Sequence, residues 1–126
     1  MVPATSRYDS IRPEDVERGR LLAAVAYLPG LCFIGLLGAP ENVFIGFHAR
    51  QGFLLLLLEV LFTLFFWIYD GTLGRIPYLG VLVGYLVKFA LWTGVLLLTA
   101  FGVAKAASGE VARIPYLGDQ VERVPF

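Results

Sequence analysis

Between Leu21 and Ala104 the chain carries six charged residues, Glu41, Arg50, Glu59, Asp70, Arg75 and Lys88, set among long apolar runs. A helix rises about 1.5 Å per residue, so some twenty apolar residues cross the roughly 30 Å of bilayer hydrocarbon. The other fourteen charges lie before residue 21 or after residue 104. An apolar centre between short polar ends is the pattern of a chain that is solvated by lipid. The hydrophobic fraction of 58% agrees, because soluble domains hold about 45–50%. The expected fold class is therefore an all-α membrane protein of three transmembrane helices in one domain, with the lipid bilayer as its first partner.

The ten basic and ten acidic residues cancel, so no net field steers the chain toward nucleic acid. Cys32 is the single cysteine, which excludes an internal disulfide and any multi-cysteine metal site. As a lipoprotein anchor it fits poorly, since Leu31 stands where a small residue is wanted. A buried apolar thiol is the better reading. A cleavable secretory signal is also disfavoured: Glu14, Asp15 and Glu17 precede the first apolar run and no small-x-small site follows it. The first helix is expected to be retained.

Residues 1–12 read as a flexible arm. Pro13-Glu14-Asp15 reads as a helix start, with proline at the first position and acids in the first turn. The first span is expected over about 21–38, with Pro29 kinking it and a neighbouring helix covering the freed backbone. Gly38-Ala39-Pro40-Glu41-Asn42 breaks the chain, and Asn42 suits a helix cap. Val43 to Gln51 mixes aromatic and polar residues, as a short interfacial helical segment would. The second span follows at about 52–69. Asp70 to Pro77 is turn chemistry short enough to make the flanking helices antiparallel neighbours. The third span is expected at about 79–107, closed by Lys105 and Gly109. At about 43 Å it exceeds the hydrocarbon and must tilt or protrude. Residues 119–126 complete the chain as a polar tail.

The hexapeptide Arg75-Ile76-Pro77-Tyr78-Leu79-Gly80 recurs identically as Arg113 to Gly118. Arg and Tyr are favoured at the lipid–water boundary, so each copy reads as an interface anchor; an inverted duplication of a helix-plus-turn unit is the alternative. With three spans, Arg7, Arg12, Arg18, Arg20 and Arg75 fall on one side, and Arg50, Lys105, Arg113 and Arg123 on the other. That balance leans toward a cytoplasmic N-terminus.

Two charges lie deep in apolar helices. Counted from the Asp70–Pro77 turn, Glu59 is about 15 Å and Lys88 about 13.5 Å along antiparallel neighbours. Gly80, Gly84 and Lys88 share a stripe at four-residue spacing, and the two glycines invite close helix packing. Gly52, Leu56, Glu59, Thr63, Phe66 and Asp70 form a stripe on the preceding span. An unpaired charge at mid-bilayer costs at least about 2.5–3.5 kcal/mol, so a Glu59–Lys88 ion pair is expected. It serves as a register clamp in the preferred reading and as a proton or ion relay in the other. His48, the single histidine, lacks the companions of a metal site or a nucleophilic triad. With Gln51 it shares a helix face while Arg50 turns elsewhere, which suggests a polar cap where the second span enters the membrane. No phosphate loop or dinucleotide fingerprint is present, so neither an enzyme nor a cofactor is expected.

The stretch Phe47-His48-Ala49-Arg50-Gln51-Gly52 resembles the Phe-His-Ala-(Lys/Arg)-Gln signature of a family of small bacterial membrane proteins. That family is similar to the chloroplast inner-envelope protein-import component and includes magnetosome membrane proteins that influence crystal size. Ala106-Ala107-Ser108-Gly109-Glu110 followed by Arg113-Ile114-Pro115 resembles the family's ending. The likeness covers about residues 18–123. It implies three or four helices, no catalytic chemistry, and a bacterial cytoplasmic membrane or one derived from it. Phe47, His48, Arg50 and Gln51 match the signature, and the resemblance implies functional weight at His48, Arg50 and Gln51. The functions to be weighed are an accessory or structural subunit with a protein partner or a homo-oligomer, and an oligomeric conducting or protein-translocation component.

Overall fold

A computed structural model of the chain describes residues 11–111 and 118–124. The arm at residues 1–10 and the second hexapeptide copy at 113–117 lie outside the described residues. Among the described residues the fold consists of four α-helices and two short 3-10 turns, with no strand. Helix α1 spans Pro13–Val25, α2 Cys32–Gly38, α3 Val43–Gly71 and α4 Leu79–Ala107. The 3-10 turns cover Leu73–Arg75 and Gly118–Arg123.

Local signals set most of these boundaries. Pro13 occupies the start of α1 with Glu14 and Asp15 in its first turn, where a missing N–H costs nothing and the helix dipole welcomes acids. Asn42 caps α3: its Oδ1 accepts from the Ile45 N–H at 3.0 Å. Its Nδ2 donates to the Asp15 carbonyl, also at 3.0 Å, tying the start of α3 to the start of α1. Asn42→Ala removes both bonds and should lower stability by about 1–2 kcal/mol, read by thermal unfolding in mild detergent. An effect below about 0.5 kcal/mol would mean that the cap is not sealed from solvent.

Helix α4 ends in a Schellman motif. Gly109 adopts φ 82°, its N–H bonds the Ala106 carbonyl at 3.1 Å, and the Glu110 N–H bonds the Lys105 carbonyl at 2.9 Å. Glycine takes this left-handed conformation without a Cβ penalty. At the other end of α4, Tyr78 has φ 64° and ψ −65° and centres a γ-turn in which Leu79 N–H meets Pro77 O at 2.7 Å. That is a strained conformation for a tyrosine.

The expected span over 21–38 is not one helix. Helix α1 stops at Val25, and a turn with Gly30 at φ 79° leads into α2, seven residues long. Pro29 disfavours helical backbone at the residue before it, and Gly30 reverses the chain directly after it. Together they turn an expected kink into an elbow. The expected interfacial segment at 43–51 is not separate either. It joins the apolar run after it as the single 29-residue helix α3.

Among the described residues two helices are thus long and apolar enough to cross a membrane, Val43–Gly71 and Leu79–Ala107, and only 22% and 11% of their apolar windows is buried. A core helix of a water-soluble protein would be mostly covered; these two form an antiparallel hairpin with lipid-compatible flanks. The buried core lies at one end of that hairpin. There Ala23, Ala24 and Tyr27 pack with Phe44 and Leu55 of α3 and with Val95 and Ala106 of α4. Close approach is secured by glycine. A Cβ on Gly52 would run into the Ala26 carbonyl oxygen, and one on Gly102 into the Tyr27 ring.

Candidate functional site

His48, Gln51 and Phe47 are fully buried at this packed end. The Gln51 side-chain amide donates to the Tyr27 hydroxyl oxygen at 2.6 Å. The Tyr27 hydroxyl donates to His48 Nδ1 at 2.5 Å. His48 Nε2 donates to the main-chain carbonyl of Glu110 at 2.9 Å. A carbonyl can only accept, so Nε2 carries the proton, Nδ1 is the acceptor, and the chain runs in one direction. It joins the elbow after α1, the first turns of α3 and the segment after α4. The Schellman motif at Gly109 is what presents the Glu110 carbonyl to the imidazole.

Aromatic rings box the histidine. Phe44, Phe47 and Tyr27 meet it edge-on, with centroids 4.8, 5.1 and 5.6 Å away, the geometry that ring quadrupoles favour. Phe47 also packs on buried Val121, which draws the 3-10 turn at Gly118–Arg123 onto α3. Residues 119–124 of the expected tail are therefore partly docked. Arg50 faces the other way, as three- and four-residue spacing requires. It is half-buried and lines a cavity of about 180 Å³ with Leu36, Ala39, Pro40 and Gly46 at the α2–α3 turn. The sequence pointed to His48 and Gln51 but suggested a polar cap. Burial and Tyr27 make them instead two members of one hydrogen-bond chain, Gln51 at its donor end and His48 within it.

The structure does not pair Glu59 with Lys88. Lys88 Nζ lies 2.9 and 2.8 Å from the two carboxylate oxygens of Asp70 and 5.8 Å from the centre of the Phe66 ring. The reason is directional. Cα–Cβ bonds tilt toward a helix's N-terminus. In an antiparallel hairpin Lys88 therefore leans toward the turn, where Asp70 sits, and Glu59 leans away from it. The flexible lysine stem extends the same tendency. Both carboxylates lay on the stripe read from sequence; side-chain direction was the signal that separated them. Among the described residues no side chain ion-pairs with Glu59, which lines an open groove of about 740 Å³ beside Leu28, Pro29, Leu56 and Trp92. Gly80 and Gly84 are buried, but they pack against the turn and Tyr69. A Cβ on Gly84 would lie 2.8 Å from that ring, and the Tyr69 hydroxyl donates to the Gly80 carbonyl at 2.7 Å.

A double-mutant cycle tests the pairing. Asp70→Asn with Lys88→Met should show a coupling of about 0.2–1 kcal/mol, whereas Glu59→Gln with Lys88→Met should be additive. Coupling confined to the Glu59 pair would overturn the assignment.

An exposed apolar hairpin, with a packed end closed by internal hydrogen bonds, defines a helical membrane protein. Over 103 residues the chain is 33% identical to the magnetosome protein MamF of Paramagnetospirillum magneticum, a match covering 80% of each chain. The chain belongs to the family of this magnetosome protein. No family model and no solved structure matches it.

Proposed function

We propose that the chain is a non-catalytic structural subunit of a membrane assembly, anchored by α3 and α4 crossing the bilayer twice. The observation that carries this is the closed path from Gln51 through Tyr27 and His48 to the Glu110 carbonyl. Each side chain in it joins separate segments, and its one acceptor end is main chain. The arrangement holds helices together. Similarity to a magnetosome protein supports a place in a magnetosome membrane or a membrane derived from the cytoplasmic one. The hairpin's uncovered apolar flanks supply surface for lipid, a protein partner or further copies.

An oligomeric conducting or translocating component is the second reading. One observation favours it: Glu59 faces the groove between α3 and α4, where an oligomer could line a path. A lone hairpin encloses none. Affinity purification in mild detergent from the native membrane, with mass by light scattering, tests both. A stoichiometric partner, with no ion flux in proteoliposomes, is expected. Flux from an oligomer would favour the second reading, and a lone monomer of 13.9 kDa without partner would sink both.

A further inference from the structure

Contacts along α3 give the depth that each part of the elbow reaches. Helix α1 enters beside the start of α3: the Asp15 carbonyl accepts from Asn42, and Gly19 lies under Ile45. It descends until the Ala26 carbonyl rests on Gly52, and the tip, Leu28 and Pro29, lines the groove shared with Leu56 and Glu59. Helix α2 then climbs back. Cys32 is again beside Gly52, and Gly35 packs against Ile45 and Ala49. The elbow therefore enters and leaves on the same side.

Tyr69 and Asp70 mark the hairpin's far boundary. Twenty residues of helix, about 30 Å, counted back from Tyr69 reach Arg50, and the middle of that stretch is Glu59. The elbow's tip thus dips from the interface at Gly52 into the hydrocarbon of one leaflet, where it shares a groove with Leu56 and Glu59. Its backbone suits that depth. Tyr27 N–H bonds Ala24 O at 3.4 Å, Leu28 N–H bonds Val25 O at 3.0 Å, Leu31 N–H bonds Leu28 O at 3.1 Å, and Pro29 has no N–H to leave unpaired. At that leaflet's interface α1 and α2 flank residues 42–52 of α3, so four helical segments meet there, whereas the opposite interface holds only the two ends joined by the hairpin turn. With helices about 10 Å across, the excess is roughly 160 Å² of cross-section in a single leaflet.

Charge fixes which leaflet this is. With α3 and α4 as the crossing helices, α1 and the described segment after α4 share one side. Among the described residues Arg12, Arg18, Arg20, Arg50, Lys105 and Arg123 lie at that end, against Arg75 at the hairpin turn and Lys88, which reaches toward it to Asp70. Basic residues mark the cytoplasmic side. The balance expected from three spans disappears because one of those spans turns back.

We propose that the chain is a one-leaflet wedge, whose α1–α2 elbow widens the cytoplasmic leaflet so that the protein bends, and gathers on, membrane convex toward that leaflet. The ligand is a lipid surface of high curvature. Extra area in one leaflet relaxes only when that leaflet is the outer one of a curved sheet. The inference stands apart from whether the chain also has a protein partner.

The test adds full-length protein in detergent to preformed large phosphatidylethanolamine–phosphatidylglycerol vesicles, so that the basic residues of α1 stay outside. Mean vesicle diameter should fall as the protein-to-lipid ratio rises. In mixtures of small and large vesicles the protein should be enriched on the small ones. Unchanged diameter, with insertion shown by flotation, would overturn the proposal. Topology is tested separately in a Cys32→Ser background with a membrane-impermeant maleimide. Arg20→Cys and Glu41→Cys should label from outside, and Thr72→Cys only after the vesicles are opened. Arg20→Cys and Glu41→Cys labelling from opposite sides would make the first segment a crossing helix and end the wedge reading.

Discussion

His48→Leu is expected to destabilise the packed end by several times the cost of an ordinary surface replacement. Leucine fills comparable space but offers no nitrogen. The Tyr27 hydroxyl then loses its acceptor and the Glu110 carbonyl loses its donor. Two buried groups left unsatisfied cost about 1–3 kcal/mol each, so about 2–5 kcal/mol is expected if the site stays dry. Interhelical hydrogen bonds in membrane proteins average about 0.6 kcal/mol, which sets a floor near 1 kcal/mol for the two. Thermal unfolding in detergent, followed by tryptophan fluorescence, provides the measurement. Tyr27→Phe removes the neighbouring link, and combining it with His48→Leu should cost less than the sum, because both belong to one path. Strict additivity, or a His48→Leu loss below about 0.5 kcal/mol, would show that the path does not bind the segments together.

The second large effect is expected at Gly52, and there the sign is the informative quantity. Glycine in a helix interior costs about 1 kcal/mol relative to alanine, so propensity alone expects Gly52→Ala to stabilise α3. The structure expects the reverse. A Cβ at this position meets the Ala26 carbonyl oxygen and carbon, which are backbone atoms that cannot swing aside. The elbow would have to lift off α3, at about 1–3 kcal/mol for Ala and more for Val by the usual cost of overpacking. A Gly52→Ala variant that melts higher than the parent chain would mean that the elbow does not lie against α3.

Features that depend on a few neighbouring residues were legible in the sequence. Pro13 with its acids, the Asn42 cap and the Lys105–Gly109 ending each act within one helical turn. The elbow was not legible, because proline inside an apolar run can kink a helix or end it. Here the outcome is decided by Gly30 and by the distant partners that hold Tyr27. The continuity of α3 through Gly52 is likewise tertiary: the helix tolerates glycine because Ala26 needs the space. At the candidate site, the spacing of His48 and Gln51 revealed a shared face but not its burial. Tyr27 and the Glu110 carbonyl come from segments 21 and 62 residues from His48, and local spacing carries no signal for them. The ion pair shows a different gap. Matching the Cα depths of Glu59 and Lys88 located the right faces, while the opposite lean of side chains on antiparallel helices decided the partner.

The end of α4 has one more consequence. Because the imidazole is held by a peptide oxygen, the side chain at position 110 can drift without the histidine sensing it, as long as residue 110 keeps its N–H and the glycine before it remains. Mutational tolerance around His48 should therefore look inverted. The acidic residue, which invites suspicion of a catalytic partner, is the replaceable one, and the featureless residue beside it is not.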